Sequence, residues 1–322
     1  MQDVIVVGSF VQDFAFNTPS FPAPGETRIG QFATGPGGKG FNQAVAANRQ
    51  GARTLFIGAC GNDMFGQQAR IFAERENLRC GFEIIDRAPS GAASIVINEA
   101  AENLIVVALG ANDHLAVPHV ERFGNEIRGA RVLVCQMECA LDATLRALAL
   151  AREASVTTLL NPGPINPDIS LEMLKLVDIV VPNETEFAFM SKHLLDVTLP
   201  DDYWLADEAT LHEYCRAFDL PTVVITLGAH GSFVSHSDDA PRRPGTLPYY
   251  SVPPADVSPV DTTGAGDAYC GGLAAAISKH GVASLNVAAL AATRVAGLST
   301  ETPGTAPAMP SSDAVLKRFG AT

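Results

Sequence analysis

Apolar residues recur along the chain in short runs rich in Val, Ile and Leu, and stretches with helical spacing of apolar positions lie between these runs. Because the runs are apolar at successive positions, both faces of each predicted strand are buried, as in a parallel sheet covered by helices. This alternation is typical of a doubly wound α/β fold, in which one sheet and the helices on its two sides form three layers. The predicted strands are Asp3–Phe10, Arg53–Ala59, Ala130–Gln136, Val156–Asn161, Val177–Asn183 and Pro221–Gly228, and the predicted helices are Phe41–Gln50, Phe65–Asn77, Leu141–Glu153 and Asp207–Phe218.

One region departs from this alternation. Residues Gly91–Asn112 contain two apolar runs joined by polar residues at Glu99–Asn103, and Glu26–Gly35 supplies a further run. We expect these segments to form a small antiparallel sheet inserted into the main fold. Both faces of this sheet are apolar, and a substrate site beneath one face with a partner subunit against the other would cover them. The alternative is a hairpin packed within the core.

The charge of the chain limits its partners. The 322 residues include 22 Lys and Arg against 35 Asp and Glu, which gives a formal net charge of −13. Because duplex nucleic acid is bound largely through Lys and Arg contacts to phosphates, this balance argues against a nucleic-acid partner. A small anionic ligand is still compatible with it, since such a ligand needs positive potential only locally.

We expect neither a targeting segment nor a membrane span in this chain. Its first residues, MQDVIVVGSF, have no basic segment ahead of the apolar run and predict a strand instead of a signal peptide. We expect no membrane span, since no apolar run approaches the required length. The six cysteines contain no C-x-x-C pair. We therefore expect a cytoplasmic protein with reduced thiols and no membrane partner.

A glycine-rich stretch, GPGGKGFNQAVAA, occupies Gly35–Ala47 and contains the G-x-G-x-x-G spacing. A dinucleotide site with this spacing requires a preceding strand that opens a βαβ unit, whereas the strand predicted here belongs to the small sheet. A P-loop would need Ser or Thr after Lys39, where Gly40 stands. A flexible backbone with the Lys39 cation and the Asn42 amide at a helix N-terminus suits a polyhydroxyl compound that carries or receives negative charge. The alternative is a plain turn that enters a helix.

A second glycine-rich stretch, VDTTGAGDAYCGG, places the N–H groups of Gly264, Ala265 and Gly266 at a predicted helix start, where the helix dipole also attracts an anion. Asp267 follows in the first helical turn, where its charge would repel that anion. A phosphoryl group in transfer resolves the conflict: the carboxylate takes the proton of the attacking hydroxyl, and the N–H groups hold the developing charge. An ordinary acid that stabilises a helix start is the alternative.

Two further stretches suit phosphate and magnesium. Asn183 and Glu186 of VPNETEF follow a strand end, where α/β sheets gather ligands, and Glu186 is suited to hold water on Mg²⁺. Read alone, this stretch is better explained as a helix N-terminus. Thr226 and the Gly228 N–H of ITLGAHGSF can meet phosphate, with an ordinary hairpin turn as the alternative. No H-E-x-x-H or G-x-S-x-G occurs, so a zinc site and serine hydrolysis have no support.

Taken together and in this order, these stretches resemble the ribokinase (PfkB) family of sugar kinases. GGKGFNQAVAA is similar to the first family signature and DTTGAGDAYCGG to the second, and the resemblance runs from VVGSF to TPGTAPAMP. It implies a ribokinase-like α/β fold in one domain, residues 1–322, with a lid inserted from about 14–36 and 91–110. It also implies an ATP-dependent kinase of a primary hydroxyl, with the 5-hydroxyl of ribose as the first expectation and another furanose-type sugar or a nucleoside as alternatives.

The resemblance assigns a role to each candidate residue. Asp267 would be the catalytic base, and Gly264, Ala265 and Gly266 would form the anion hole. The sugar contacts would be Asp13, Gly38, Lys39, Asn42 and Glu138 together with Asp267, the residues serving ATP and its Mg²⁺ would be Asn183, Glu186, Thr226 and Gly228, and those holding a monovalent cation, K⁺, would be Asp261, Thr263, Ser299, Thr302, Gly304 and Ala308. The lid would clasp its counterpart in a homodimer.

Two departures from the family pattern stand out. Val11 occupies the place of an asparagine on the predicted first strand, and period-two alternation puts Val11 and Asp13 on one face and Gln12 on the other, so that Gln12 is poorly placed to compensate. The segment 190–208 is longer and more irregular than usual. Outside the kinases, a NAD-dependent oxidoreductase using Gly35–Gly40 and a non-catalytic sugar sensor remain as alternatives, the sensor being disfavoured by the intact Asp267.

Overall fold

The strands form two sheets of different size, in a computed structural model that describes residues 2–100 and 102–320. In chain order the strands are β1 (Val4–Val7), β2 (Val11–Asn17), β3 (Gln31–Gly37), β4 (Thr54–Gly61), β5 (Arg79–Ile85), β6 (Gly91–Ile97), β7 (Asn103–Ala108), β8 (Val132–Cys135), β9 (Thr157–Leu160), β10 (Ile179–Val180), β11 (Thr222–Thr226), β12 (Ser232–His236) and β13 (Tyr249–Val252). The α-helices are α1 (Lys39–Arg49), α2 (Met64–Arg75), α3 (Val117–Glu121), α4 (Gly124–Arg128), α5 (Leu141–Glu153), α6 (Leu171–Leu174), α7 (Glu184–Leu195), α8 (Glu208–Arg216), α9 (Ala265–His280), α10 (Leu285–Ser299) and α11 (Ser312–Phe319).

The large sheet has the strand order β13-β12-β11-β10-β9-β8-β1-β4-β5. Neighbouring strands from β11 to β5 are parallel, and β12 is antiparallel to both β11 and β13. From β1 the chain builds outward to β4 and β5 on one side and to β8 through β11 on the other. Such a reversal is the place where open α/β sheets gather ligands at the carboxyl ends of their strands. The predicted doubly wound α/β fold is confirmed.

Helices cover the two faces of the large sheet and form two apolar cores. In β1, Val4 and Val6 join one core, and Ile5 and Val7 join the other. The first core includes the apolar faces of α1, α9 and α10, and the second includes those of α5, α7 and α8. Because successive side chains of a strand point to opposite faces, a strand between two helical layers must be apolar at every position.

The small sheet has the order β3-β2-β6-β7 and is mixed, whereas the sequence predicted an antiparallel sheet. The β2–β3 and β6–β7 pairs are antiparallel, but β2 and β6 are parallel because the chain returns to β6 from the same side of the large sheet. Ala101, in the predicted turn between β6 and β7, lies outside the described residues. The boundaries predicted for the lid remain a prediction.

Two predicted strands differ in extent from those observed. The strand predicted over Asp3–Phe10 ends at Val7. The next strand, β2, begins at Val11 and belongs to the small sheet, whereas the sequence pattern did not indicate a separate strand there. The run over Val177–Asn183 is reduced to β10, since Pro182 has no N–H with which to continue the ladder. In the segment 190–208, the Tyr203 hydroxyl donates to the carbonyl of Glu184 at 2.8 Å, so this irregular segment packs against the start of α7.

One helical segment is longer and more apolar than we expected from the sequence, where no apolar run was predicted to approach the length of a membrane span. By length and composition, Val282–Ser299 would suffice to cross a membrane, with a mean hydropathy of 1.3. Its α-helical part, α10, packs against α9, and Leu285, Ala288, Ala292 and Val295 are buried in the first core. Core helices of globular proteins reach the same length and composition, and the inward face of this helix is of that kind.

Buried hydrogen bonds fix the passages of the chain between the two sheets. The Asn112 side chain donates to the carbonyls of Phe10 at 2.7 Å and Leu109 at 2.8 Å, and it accepts from the Phe10 N–H at 3.0 Å. Asp63 accepts from the Ser90 N–H at 2.7 Å, just before β6. These contacts hold the entry to β2, the entry to β6 and the exit from β7, and so set the position of the small sheet over the large one.

Candidate active site

A cavity of about 150 Å³ lies between the inner face of the small sheet and the N-terminal ends of α1 and α9. Its polar side is formed by Asp13, Gly38, Lys39, Asn42, Glu138, Thr263, Gly264, Asp267 and Thr305, and its apolar side by Val11, Ala93, Ile95, Ile105 and Val107. The residues predicted to contact a sugar therefore surround one cavity, although they come from four separate parts of the chain.

Asp267 lies in the first turn of α9 and is 5% exposed. Its Oδ2 accepts from Asn42 Nδ2 at 2.9 Å, and its Oδ1 accepts from Gln43 Nε2 at 3.0 Å. Lys39 Nζ lies 3.8 Å from Oδ1. A buried carboxylate needs such partners, because without them its desolvation would strongly disfavour the charged form. Helix α1 supplies all three.

Lys39, the first residue of α1, faces three carboxylates. Burial acts to lower the pKa of Lys39, but Asp267, Glu138 and Glu186 outweigh burial and raise the pKa above the usual lysine value. Gly163 makes room for this arrangement, since a Cβ there would lie 2.3 Å from Glu186 Oε1 and 3.0 Å from Lys39 Nζ. The ammonium group is therefore a permanent positive charge at the floor of the cavity.

Glu138 follows β8 and connects the starts of β2 and α1. Its Oε2 accepts from the Ser9 hydroxyl at 2.6 Å and from the Lys39 N–H at 3.0 Å. Gly38, immediately before α1, has a φ of 92° and approaches β2 so closely that a Cβ would lie 2.6 Å from the Val11 nitrogen. The glycine-rich stretch thus serves close backbone approach at the cavity wall.

Asp13 lies on β2 and accepts a hydrogen bond from the Thr305 hydroxyl at 2.7 Å. Burial raises the pKa of Asp13 to about 7, and the nearby carboxylates of Glu138, Asp267 and Asp261 act in the same direction. The Thr305 hydrogen bond opposes this shift. Near neutral pH the carboxyl group is therefore poised between its neutral and charged forms.

The start of α9 has two backbone N–H groups available for an anion. Gly264 is the N-cap, with a left-handed φ of 78°, and the Ala265 N–H donates to the Thr262 carbonyl at 3.2 Å. Within residues 2–100 and 102–320, the N–H groups of Gly264 and Gly266 meet no protein acceptor. A Cβ on Gly266 would meet no atom within 4 Å, so there is room for a ligand. Of the three donors predicted from the sequence, two are thus free and the third is engaged in a turn, and their role as an anion hole stays a prediction.

A second cavity, of about 670 Å³, lies on the other side of this helix start. Its polar lining includes Asn183, Thr226 and Gly228, and its apolar lining includes Pro254, Ala255, Val257 and Ala296. Ala265 and Gly266 face this second cavity, whereas Gly264 and Asp267 face the first. The N-terminus of α9 therefore separates the two cavities and borders both.

Asn183 and Glu186 form a capping box at the start of α7. The Glu186 N–H donates to Asn183 Oδ1 at 2.8 Å, and the Asn183 N–H donates to Glu186 Oε2 at 2.9 Å. Burial raises the pKa of Glu186, and Lys39 opposes the shift. Glu186 lines neither of the two cavities. Its hydrogen bonds are those of a residue at a helix N-terminus, the alternative that the sequence also offered, and a role toward Mg²⁺ stays a prediction.

The two segments predicted to hold a monovalent cation lie side by side. Asp261 accepts from the N–H groups of Thr263 and Gly304, both at 2.9 Å, and its own N–H donates to the Thr300 carbonyl at 3.0 Å. Asp261, Thr263 and Gly304 line a third cavity, of about 480 Å³, whereas Ser299, Thr302 and Ala308 do not. The described part of the chain contains no group of three or more His, Cys, Asp or Glu suited to a metal ion. Carbonyl oxygens of these segments would be suitable ligands, since K⁺ is bound by backbone carbonyls in proteins.

Val11 contributes an apolar wall where the family pattern has an amide. It is 2% exposed and packs with Ala93 and Ile95 beneath the small sheet. Gln12 points to the opposite face, where its Nε2 donates to the Thr34 hydroxyl at 2.7 Å. The alternation predicted from the sequence therefore describes β2 correctly, and Gln12 does not replace the missing amide.

Three residues that support the site were not predicted from the sequence. Gln43 holds Asp267, Ser9 holds Glu138, and Thr305 holds Asp13. Gln43 stands next to Asn42 in a signature, but its helical position alone suits a core residue. The partners of Ser9 and Thr305 are 129 and 292 residues away in the chain, so only the folded protein identifies them.

The glycine spacing at Gly35–Gly40 does not open a βαβ unit. Gly35 and Gly37 belong to β3 of the small sheet, and Gly40 lies in the first turn of α1. A dinucleotide fingerprint requires a strand of the main parallel sheet in that place. The oxidoreductase alternative therefore has no structural support.

Comparisons with known proteins show the family to which the chain is similar. Residues 1–312 match the family described as pfkB family carbohydrate kinase. The chain is 34% identical to ribokinase from Mus musculus over 310 residues, which cover 95% of this chain and 91% of that protein. Its structure is similar to that of ribokinase from Giardia lamblia, with a TM-score of 0.86, 26% identity and coverage of 98% of both chains. It is also similar to that of ribokinase from Cryptococcus neoformans var. grubii in complex with ADP, with a TM-score of 0.84, 27% identity and coverage of 99% of this chain and 100% of that one. Because the family match spans nearly the whole chain and a relative with this identity covers most of it, the chain belongs to the pfkB family of carbohydrate kinases.

Proposed function

We propose that this kinase transfers the γ-phosphoryl group of ATP to the 5-hydroxyl of ribose, forming ribose 5-phosphate and ADP. Relatives named ribokinase, one of them in complex with ADP, support substrates of this kind. The observation that carries the proposal is the position of the α9 N-terminus, with Asp267 facing the smaller cavity and Gly266 the larger. A sugar hydroxyl in the first cavity and a nucleotide phosphate in the second would meet at this helix end.

Asp267 is the proposed general base. Its carboxylate takes the proton of the sugar hydroxyl while the hydroxyl oxygen bonds to the γ-phosphorus and the bond from phosphorus to ADP breaks. The N–H groups of Gly264 and Gly266, with the positive end of the α9 dipole, stabilise the charge on the transferring group. The Ala265 N–H adds a third donor when its turn bond to Thr262 opens.

The polar side of the first cavity would bind the sugar. Asp13 and Glu138 accept hydrogen bonds from hydroxyl groups, and Lys39 donates. Asn42 Oδ1 is buried and has no partner among the described residues. Because a buried acceptor without a partner is costly, this atom is suited to accept from a sugar hydroxyl.

The second cavity would bind ATP. Asn183, Thr226 and Gly228 are proposed to lie along the phosphates, and the base would pack against the apolar lining that includes Pro254 and Val257. Mg²⁺ on the phosphates would supply neutralisation of their charge. Glu186 is the proposed acceptor for a water of that ion.

A monovalent cation, K⁺, is proposed beside the anion hole. Carbonyl oxygens of Asp261, Thr263, Ser299, Thr302, Gly304 and Ala308 are the candidate ligands. The Asp261 carboxylate accepts from the Gly304 N–H, and the Asp261 N–H donates to the Thr300 carbonyl, so these two bonds hold the segments together and support this placement. A cation there would order the turn that leads into Gly264.

A second copy of the chain is proposed as partner of the outer face of the small sheet. Large apolar side chains on this face are exposed, namely Phe16, Phe32, Leu104 and Val106. An exposed apolar patch of this kind on a small sheet marks an interaction surface. A homodimer through the lid would cover it.

The proposed compartment is the cytoplasm. Cys60, Cys80, Cys135, Cys139, Cys215 and Cys270 are all free, and five of them are buried. Free cysteines are common in reducing compartments, where disulfides are rare. ATP as a substrate is consistent with the same placement.

The role of Asp267 predicts a large loss of turnover. Asp267→Asn should lower kcat by roughly 10² to 10⁴ with little change in the KM for ribose, because proton transfer is lost while the sugar contacts remain. ADP release at saturating ribose and ATP measures this, and thermal unfolding checks the fold. Asp313→Asn is the matched control, since Asp313 is an exposed acid in the first turn of α11. A kcat near that of the wild type would return Asp267 to the role of a helix-start acid.

The raised pKa of Asp13 predicts a pH-dependent affinity for the sugar. Sugar hydroxyls hydrogen-bond to the charged carboxylate, so binding lowers this pKa and releases a proton, and affinity should rise as pH increases through about 7. Below pH 7 the dissociation constant should change up to about tenfold for each pH unit. Calorimetry of ribose binding without ATP, in buffers of different ionisation enthalpy, measures both effects. Asp13→Asn should bind more weakly and show no such slope; a slope that persists in this variant would assign the titration to another group.

The proposed cation site predicts activation by potassium. K⁺ should raise kcat well above the value in Na⁺ at equal ionic strength, because an ordered anion hole holds the transferring phosphoryl group better. Initial rates at saturating Mg²⁺ and ATP test this. Asp261→Asn keeps the side-chain shape and should reduce the difference between the two salts. Equal wild-type rates in K⁺ and Na⁺ would contradict the site.

Val11 predicts a substrate preference that differs from the family pattern. A ribose hydroxyl facing Val11 loses a hydrogen bond, and a buried hydroxyl left without any partner costs about 1 to 3 kcal/mol. Val11→Asn should therefore raise kcat/KM for ribose by about tenfold. It should lower kcat/KM for a sugar that is less polar where it faces residue 11. A coupled ADP-release screen over pentoses, hexoses and nucleosides measures this. Ala15→Asn, on the same face of β2 but outside the sugar cavity, is the control. If ribose kinetics do not improve and no sugar outperforms ribose, the departure is neutral.

A further inference from the structure

Two buried glutamines behind the cavity form a chain of amides that ends on Asp267. Gln43 on α1 and Gln136 after β8 are both 0% exposed, and neither lines the sugar cavity. Gln136 Nε2 donates to Gln43 Oε1 at 2.6 Å, and Gln43 Nε2 donates to Asp267 Oδ1 at 3.0 Å. The second proton of Gln43 Nε2 is directed at Asn161 Oδ1, 3.4 Å away. The chain therefore has a direction, from donor to acceptor, toward the carboxylate.

The direction follows from the chemistry of the end group. An ionised carboxylate can only accept, so Gln43 must turn its NH₂ group toward Asp267. Its carbonyl then faces Gln136, which must present an NH₂ group in turn. Asn42 Nδ2 occupies the other oxygen, Oδ2, at 2.9 Å. Donors on both oxygens fix the plane of the carboxylate, and polarisation along the chain strengthens the bond at its end.

Three glycines make the space that the chain needs. A Cβ on Gly8 would lie 1.9 Å from Gln136 Oε1 and 2.9 Å from the Cα of Gly40. Gly271 lies one turn after Asp267 on α9, and a Cβ there would lie 2.4 Å from the carbonyl oxygen of Gln43. Larger residues at these positions would separate the elements that carry the two amides from the helix that carries the carboxylate.

The chain also leaves a buried polar atom without a partner, which argues against a purely structural role. Gln136 Oε1 has no hydrogen-bond partner among the described residues. Replacing both members of a buried polar pair by apolar groups of the same shape is often nearly neutral for stability, whereas an unpaired acceptor is costly. A pair of methionines would fill the same space without this cost. What they could not supply is an N–H group directed at Asp267.

We propose that Gln43 and Gln136 are positioning residues that hold the Asp267 carboxylate in the orientation needed to take the sugar proton. Gln43 acts on Asp267 directly, and Gln136 acts only through Gln43. The inference rests on the proposed function, since it takes Asp267 as the base. Neither glutamine contacts the sugar cavity, so the pair is expected to affect turnover and not sugar affinity.

A double-mutant cycle tests this directional dependence. Gln43→Met should lower kcat about 10- to 100-fold, and Gln136→Met about 3- to 10-fold, with the KM for ribose within about twofold of the wild type. Because Gln136 acts through Gln43, the double variant should have the kcat of Gln43→Met alone. In Gln43→Met the acidic limb of the kcat profile should move to higher pH, since the donor that favours the charged base is lost.

Gln50→Met provides the matched control. Gln50 is at the other end of α1, where its Nε2 donates to the Pro310 carbonyl at 2.7 Å. This variant loses a single side-chain hydrogen bond and should lower the unfolding temperature without moving the pH limb. If Gln43→Met does not fold, the kcat and pH profile of Gln136→Met decide the question.

Three results would overturn the inference. The first is a double variant in which the losses of kcat from the two single variants multiply. The second is a loss of kcat that follows the unfolding temperature while the pH profile stays unchanged. The third is a kcat near that of the wild type in Gln43→Met.

Asp267→Asn, measured in the same assay, separates the two proposals. If Asp267→Asn loses at least about 10²-fold while the glutamine variants stay active, only the positioning role fails. If Asp267→Asn is itself active, the proposed base fails and the positioning role with it.

Discussion

The site depends on the close approach of two helices from opposite ends of the chain, α1 and α9. Asp267 on α9 is buried, and its charge is balanced by Lys39 and two amide groups, all from α1. Small residues permit this approach: a Cβ on Gly271 would lie 2.5 Å from the Cβ of Ala46. A buried carboxylate that lost these partners would carry a desolvation penalty of several kcal/mol. The same contact thus packs the core and surrounds the proposed base with one cation and two N–H donors.

The two sheets contribute different parts of the cavity. The large sheet and its helices bring together Lys39, Glu138 and Asp267, while the small sheet supplies Asp13 and the apolar wall of Val11, Ala93 and Ile95. The apolar wall therefore lies apart from the hydrogen-bond partners of Asp267, all of which are on α1. Asn112 joins the two parts by bonds to Phe10 and Leu109, so this wall has a defined position over the polar side.

Sequence patterns predicted the structure correctly where it depends on neighbouring residues. The glycines before α1 and α9 indicate backbone that must turn or be approached closely, and Gly38 and Gly264 indeed have positive φ. Apolar runs at successive positions predicted a sheet with two covered faces. Local signals failed where two states share the same pattern: nothing in the run from Val4 to Phe10 shows that the chain leaves one sheet and enters another. Likewise, the acids of VPNETEF suit both a metal site and a capping box, and the fold shows that Asn183 and Glu186 cap each other.

The sequence by itself determined the α/β class, the family and most of the polar residues around the cavity, because periodicity, glycine placement and short signatures are properties of neighbouring residues. Tertiary structure alone decided which of these residues support one another. Asn42 and Asp267 are 225 residues apart, and Gln136 reaches Gln43 across 93 residues. Hydrogen bonds at such separations depend on how helices and strands pack. A glutamine that fills a core and a glutamine that orients a carboxylate are the same residue type, so the sequence does not distinguish them.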